Sequence, residues 1–507
     1  MSQKKAGIIL SYAVEGVKIV TSVLYTPIML RLLGESEYGL YQLVSSFVSY
    51  LGLLSLGFGG SYMRFYARAK AEKKDEEIAR LNGMFMTVFS IIAFICILCG
   101  IVMVQNIRKI FGTGLTDEEY HTAKILMCFL IINMAITFPN TVFNCNITAH
   151  ERFIFQKILL MIQSLLNPLI TLPLLFLGYG SIGMVSISVL LTFGVLLSNM
   201  YFCLRKLQMK FIFWGFRFSL LKEMWFFTFF LFLNQIIDMM NNCVDMFLLG
   251  RMLGTVPVAV YGLAGQINGM YISFSTSVSN VFVPRVNQIV AETNSNRELS
   301  DLFIKIGRIQ FMILALIVTG FIFFGKTFIK FWSGPGYEES YYVALWLIVP
   351  ITIPLTQNLG IEIQRAKNMH QARSIVYFII ACANVIISIP LIRLYGPVGA
   401  AVGTAVALTI GHIIFMNIYY QKKIGLNILL FWMNILKMMP FLIIPLIYGI
   451  VVSVFAKIDS LVFMCIHITI YSFIYFLSLW FGGMNADEKG IIKAFFNKLF
   501  GIISREK

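Results

Sequence analysis

Long apolar runs, interrupted at intervals by charged residues or by Gly and Pro, follow one another along the whole chain. A helix needs about 20 largely apolar residues to cross a bilayer. Runs of that length fall at about 7–30, 38–58, 83–105, 123–144, 154–177, 181–204 and 226–249. Seven more fall at about 257–283, 304–325, 341–361, 374–393, 398–420, 438–456 and 461–482. The pattern predicts fourteen transmembrane spans, numbered 1 to 14 in this order. Because the runs are continuous, an outer-membrane barrel of ~10-residue alternating strands is excluded. The longest connections, near 60–82, 105–122 and 284–303, are too short for a separate domain.

Composition strengthens this picture. Hydrophobic residues make up 58% of the 507 and charged residues 13%, whereas soluble domains run near 45–50% and 25%. Lys and Arg outnumber Asp and Glu by 40 to 24, for a net charge of +16. In a soluble chain that excess would suggest nucleic acid; here it sorts by side of the membrane. If the N-terminus is cytoplasmic, thirty of the forty basic residues fall on the cytoplasmic side. Nine fall outside and Lys18 lies within a span. This is the asymmetry of the positive-inside rule, so both termini are expected in the cytoplasm and no nucleic-acid partner is expected. A cleavable signal peptide is not expected. The segment 483–507 reads as a cytoplasmic amphipathic tail, with Ile492, Phe495, Phe496 and Leu499 on one face. The eight cysteines lie almost all inside apolar runs, and Cys96-Ile-Leu-Cys99, which has redox-motif spacing but sits mid-span, reads as small buried hydrophobes. The five histidines have no ligand spacing, so no metal site is expected.

The chain also repeats itself. Arg31-Leu-Leu-Gly34 with Tyr38-Gly39-Leu40 recurs as Arg251-Met-Leu-Gly254 with Tyr261-Gly262-Leu263. Arg64 matches Arg285, Ile136-Thr-Phe-Pro139 matches Ile351-Thr-Ile-Pro354, and Pro173 matches Pro390. Gly180-Ser-Ile-Gly183 matches Gly396-Pro-Val-Gly399. A repeat of six spans, an even number, keeps the same orientation in both copies and implies a pseudo-two-fold axis along the membrane normal. The expected division is an N-lobe over 1–222, a C-lobe over 223–423, two extra spans over 424–482, and the tail. Two similar lobes would enclose a central cavity. Gly399 and Gly403, with Ala400, Ala401 and Ala405, form a small-residue surface for close helix approach.

LLGESEYGLYQL (32–43), GFGGSYMRFYARAK (57–70) and YGPVGAAVGTAVA (395–407) resemble polysaccharide and O-antigen flippases of the Wzx type. These belong to the multidrug/oligosaccharidyl-lipid/polysaccharide (MOP) exporter superfamily, with the lipid II flippase and MATE transporters as cousins. The resemblance implies an all-α, MATE-like fold in the bacterial cytoplasmic membrane. Its implied activity is alternating-access transfer of a polyprenyl-diphosphate-linked oligosaccharide to the outer leaflet, for O-antigen, capsule or exopolysaccharide synthesis. Membrane lipids, a polysaccharide polymerase and a chain-length regulator are the partners it suggests.

Polar residues inside the spans are the candidate chemistry, since ionisable groups at membrane depth are costly and face a cavity or a partner. Span 1 carries Ser11, Glu15, Lys18 and Ser22; span 7 carries Asn234, Asp238, Asn241 and Asp245, both spaced +4, +3, +4. Such spacing aligns side chains on one helical face. Two readings stand: a substrate cavity with Lys18 and Glu15 facing Asp238 and Asp245, or an intramembrane salt bridge that only holds helices together. Gln42 on span 2 and Gln266 on span 8 add neutral hydrogen-bonding groups suited to sugars. Arg31 and Arg251 at the outer mouth, with Arg64 and Arg285 at the inner mouth, are candidates for gripping a diphosphate. No cofactor is read; coupling to H+ or Na+ is left open by the acidic residues. Two alternatives remain. One is a MATE-like cation-coupled multidrug antiporter. The other is an integral-membrane glycan polymerase or acyltransferase, against which the short loops and the absence of a His/Asp-centred site both count.

Overall fold

A computed structural model describes residues 3–493 apart from 73, 113, 216, 217, 370, 457 and 491. The expected tail helix therefore falls largely outside the described residues. Among those described, the chain is helical throughout and forms no strand. In order, the helices are α1 (Gln3–Ser49), α2 (Phe58–Ala71), α3 (Asp75–Gln105), α4 (Ile107–Phe111), α5 (Asp117–Ala149), α6 (Phe153–Phe176), α7 (Gly180–Tyr201) and α8 (Phe218–Leu253). There follow α9 (Thr255–Glu292), α10 (Asn296–Ser333), α11 (Ser340–Thr356), α12 (Leu359–Ala366), α13 (Gln371–Leu408), α14 (Met416–Tyr419), α15 (Ile428–Leu436), α16 (Ile443–Phe455) and α17 (Leu461–Ser478).

Nine helices among the described residues are long and apolar enough to cross a membrane. The number is ten if the pair α11 and α12, bent by 48°, counts as one span. Their outward faces are apolar: Phe455 is 81% and Phe481 79% exposed. Such a surface is stable only against lipid, which is as apolar as a protein core. The chain is a multi-pass membrane protein.

Two stretches expected as connections are themselves largely helical. Residues 58–71 form α2, which follows span 2 after a short 3-10 stretch at Tyr50–Ser55, and 284–292 continue α9. In α2 the helix-favouring residues Arg64, Arg68 and Lys70 carry the helix through a polar stretch.

The chain forms two compact units. One comprises 1–263 and 374–404, the other 264–373 and 405–507. In the first, α1 packs against α6, and α5 against α3 and α7, around Tyr38, Tyr62, Phe85, Phe89 and Phe111, all essentially inaccessible. Within α13 the chain reverses at Gly396 (φ 57°). There Gly399 abuts the Leu391 carbonyl and Gly403 abuts Ser388, the close approach that the Gly-Ala surface predicts. In the second unit α10 is central. Phe431 of α15 packs on Phe303 at 4.7 Å and against Gly307, and Tyr475 of α17 donates to the Met312 carbonyl at 2.7 Å.

The sequence repeat is visible as repeated backbone. Gly34 and Gly254 both have positive φ (74° and 91°), as do Gly180 and Gly396 (54° and 57°). Two further pairs escaped the sequence comparison: Gly112 with Gly334, and Glu151 with Asn368. Gly34 is needed because α1 changes direction there through a conformation that side chains resist.

Candidate functional site

The expected charged residues divide between open and enclosed surroundings. On α1, Lys18 is exposed and pairs with Glu15 at 3.9 Å, with 46% and 38% of the two side chains accessible. On α8, Asp238 is exposed, while Asn234 and Asn241 are half-buried. Asn234 accepts a hydrogen bond from Ser374 at 3.0 Å, and Gln235 accepts one from Ser55 at 3.4 Å. Gln42 donates to the Tyr38 hydroxyl at 2.6 Å and lies against Gly262. Gln266, in the second unit, is half-buried. Arg31, Arg64, Arg251 and Arg285 are all exposed, and Arg285 donates to Gln288 at 2.9 Å.

Asp245 stands apart from this open set. It is 1% exposed, so it does not line open space beside Lys18. Its Oδ2 accepts from the Tyr261 and Thr404 hydroxyls, both at 2.8 Å. Asn384 donates to Thr404 at 3.3 Å and accepts from Ser388 at 3.2 Å. Oδ1 of Asp245 receives no hydrogen bond. A buried carboxylate with one oxygen unsatisfied is costly, and the cost is relieved by a proton or by a small cation that prefers oxygen ligands. Among the described residues there is no cluster of three His, Cys, Asp or Glu side chains that could hold a metal ion.

Two polar features were not singled out from the sequence. Along α5, Asn133, Thr137, Thr141, Asn144 and Thr148 form one face. Thr137, Thr141 and Thr148 each return their hydroxyl to the carbonyl four residues earlier. That back-bonding lets hydroxyls sit in an apolar run without breaking it; the +4, +4, +3, +4 spacing was the available signal. Gln156 of α6 donates to Asn144 at 2.6 Å and to Thr148 at 2.8 Å.

The second feature is Glu119, in the Thr116-x-x-Glu119 capping box of α5. On the side that the charge asymmetry assigns to the outside, Ser36 and Thr255 both donate to its Oε1, at 2.6 and 2.9 Å. Its Oε2 accepts from the Thr116 amide and hydroxyl at 2.8 and 3.0 Å. Burial pushes this carboxyl up, but the bonds from Ser36, the Thr116 amide, Thr255 and the Thr116 hydroxyl together hold it below the ordinary carboxylate value.

Comparison with known proteins decides the family. The family described as polysaccharide biosynthesis protein matches residues 5–290, more than half of the chain. The chain belongs to this family. All twelve site residues expected from the sequence lie within the part that the polysaccharide biosynthesis family covers. A curated relative from Shigella flexneri, described as an O-antigen transporter, is 19% identical over 400 residues, 77% of this chain and 91% of that protein. Among solved structures, the lipid II flippase MurJ in an inward closed conformation superposes with a TM-score of 0.70 at 19% identity, covering 93% of this chain and 98% of its own. An inward-facing MATE-family multidrug resistance transporter of the MOP superfamily gives 0.67 at 15% identity, covering 81% and 98%. The family and the fold agree with the Wzx-type, MOP-superfamily resemblance read from the sequence.

Proposed function

We propose that this member of the polysaccharide biosynthesis family is a flippase, not an enzyme. It carries a polyprenyl-diphosphate-linked oligosaccharide from the inner to the outer leaflet of the bacterial cytoplasmic membrane by alternating access. The observation that carries the reading is a carrier fold whose long apolar helices hold an exposed Lys18–Glu15 pair and an exposed Asp238. Such residues are tolerated in a bilayer where they meet water or a polar ligand. The hydroxyl and amide face of α5, with Gln42 and Gln266, offers neutral partners for sugar hydroxyls. Lys18, Arg31 and Arg251 offer charge to the diphosphate, Arg binding it with two parallel hydrogen bonds. The reading keeps fourteen spans, two six-span lobes and both termini in the cytoplasm. The polyprenyl tail stays in lipid while the headgroup crosses.

Asp245, with Thr404, Asn384 and Ser388, supplies the seat for a coupling H+ or Na+. Its unsatisfied Oδ1 favours this role over direct sugar contact.

The test is flux of a labelled lipid-linked oligosaccharide across vesicles containing the purified chain, with and without a sodium or proton gradient. Transfer well above that of protein-free vesicles is expected. Transfer equal to theirs overturns the reading, and flux of a cationic drug in its place would move the assignment to a MATE-like antiporter.

A further inference from the structure

The two turns that the sequence repeats, Arg31-Leu-Leu-Gly34 and Arg251-Met-Leu-Gly254, lead to the two hydroxyls that meet on Glu119. Ser36 follows the Gly34 break in α1, and Thr255 opens α9 directly after Gly254. Their hydroxyl oxygens lie 3.2 Å apart, and both donate to Glu119 Oε1. The backbones are as close as the side chains: a Cβ at Gly39 would collide with the Thr255 carbonyl, and one at Gly114 with the Gly250 carbonyl. A neighbouring carboxylate, Glu37, accepts from the Ser181 amide and hydroxyl at 2.6 and 2.7 Å. It thereby ties the start of α7 to the same turn.

We propose that Glu119 is a latch. It closes the outer side of the carrier by holding the α1 and α9 turns together, and the Ser36 and Thr255 bonds must break in each transport cycle before the cavity opens outward. This inference rests on the alternating-access reading. Three features suit the role. Both donors are neutral hydroxyls, whose bonds exchange readily with water. Glu119 and Ser36 are partly solvated, so their groups meet water when the bonds break, and the buried Thr255 hydroxyl must gain water as the turns part. Glycines at 39, 114 and 254 let the turns close without side chains to clear. The Thr116 bonds lie within one helix terminus and persist on opening, so Glu119 stays positioned to re-form the latch.

The test uses the full chain, with its eight native cysteines replaced, and a reporter Ser22→Cys one turn from Lys18 on the same face of α1. A membrane-impermeant thiol reagent applied from outside reads opening without depending on any substrate. Ser36→Ala with Thr255→Val, which removes the crossing bonds and leaves the capping box, should raise the labelling rate about tenfold. Thr116→Ala, which breaks only the cap, should change it less than about twofold. A Ser36→Cys/Thr255→Cys disulfide should abolish both labelling and glycan flux until reductant is added. Unchanged labelling in the Ser36/Thr255 variant, or full flux through the oxidised pair, overturns the latch. Labelling that follows the latch in vesicles that move no lipid-linked glycan leaves the latch standing and overturns the flippase assignment.

Discussion

Two ion pairs, one in each compact unit, show how differently the same chemistry can be used. In the second unit Arg308 meets Glu488 through two bonds of 2.6 and 2.9 Å, and also donates to the carbonyls of Asn434 and Gly483 at 2.9 and 2.8 Å. The two side chains are 7% and 2% accessible. In the first unit Lys18 and Glu15 stand 3.9 Å apart and remain nearly half accessible. Each of the three Arg308 side-chain nitrogens is bonded to protein, by four bonds in all, and the residue ties the segment after α17 to α10. The Lys18 ammonium has three donors, one loose partner and room around it. A closely bonded, buried pair holds helices together, while a loose, solvated pair can exchange its partner for a substrate group. Burial and completeness of bonding, rather than charge in an apolar run, separate the two.

Substitutions can break this contrast, and the largest effect belongs to the clamp. Arg308→Met alone leaves Glu488 buried and unpaired, which costs about 3–5 kcal/mol. It should sharply lower both the protein level in the membrane and the melting temperature. Arg308→Met with Glu488→Leu should recover most of that loss, since both desolvation costs disappear together. A double variant as unstable as the single one would mean that the clamp does more than satisfy itself.

Next comes the open pair. Lys18→Met should leave the membrane level and melting temperature within the wild-type range and reduce glycan flux at least tenfold, about 1.4 kcal/mol in transport barrier. The doubly apolar Lys18→Met with Asp238→Leu should also lose transport while folding normally. Wild-type flux through it would return both residues to a structural role. Asp245→Asn should keep the fold, because Tyr261 and Thr404 can still donate to the amide oxygen, and should flatten the dependence of flux on the sodium or proton gradient. A gradient dependence equal to the wild type would remove Asp245 from coupling.

The smallest effects concern the arginines. Replacing Arg31 and Arg251 together by Gln should slow flux several-fold, on the order of 1 kcal/mol for lost charge-assisted bonds to phosphate. Replacing Lys422 and Lys423 together should change it less than about twofold, as expected of residues that anchor to the inner leaflet. Equal effects in the two pairs, measured at matched expression, would make all four anchors.

Much of the architecture was legible without coordinates because a bilayer imposes a one-dimensional rule: an apolar run of about 20 residues must be a helix. Class, repeat and the small-residue contact at Gly399 and Gly403 follow from local sequence. Glu362 and Arg365, which lie within one helical turn of each other, pair at 2.6 Å for the same local reason. The candidate site was legible only as a set of polar residues. Spacing placed Asp238 and Asp245 on one face of α8, yet one is exposed and the other enclosed by Tyr261 and Thr404, which lie 16 and 159 residues away along the chain. Thr116 and Glu119 stand at capping-box spacing, which accounts for the start of α5 and for nothing further. That Glu119 also receives Ser36 and Thr255, 83 and 136 residues distant, depends on how three turns are brought together. Helical periodicity records which side chains share a face; the neighbours that face meets are set by packing, and so is the division between an open charge and a satisfied one.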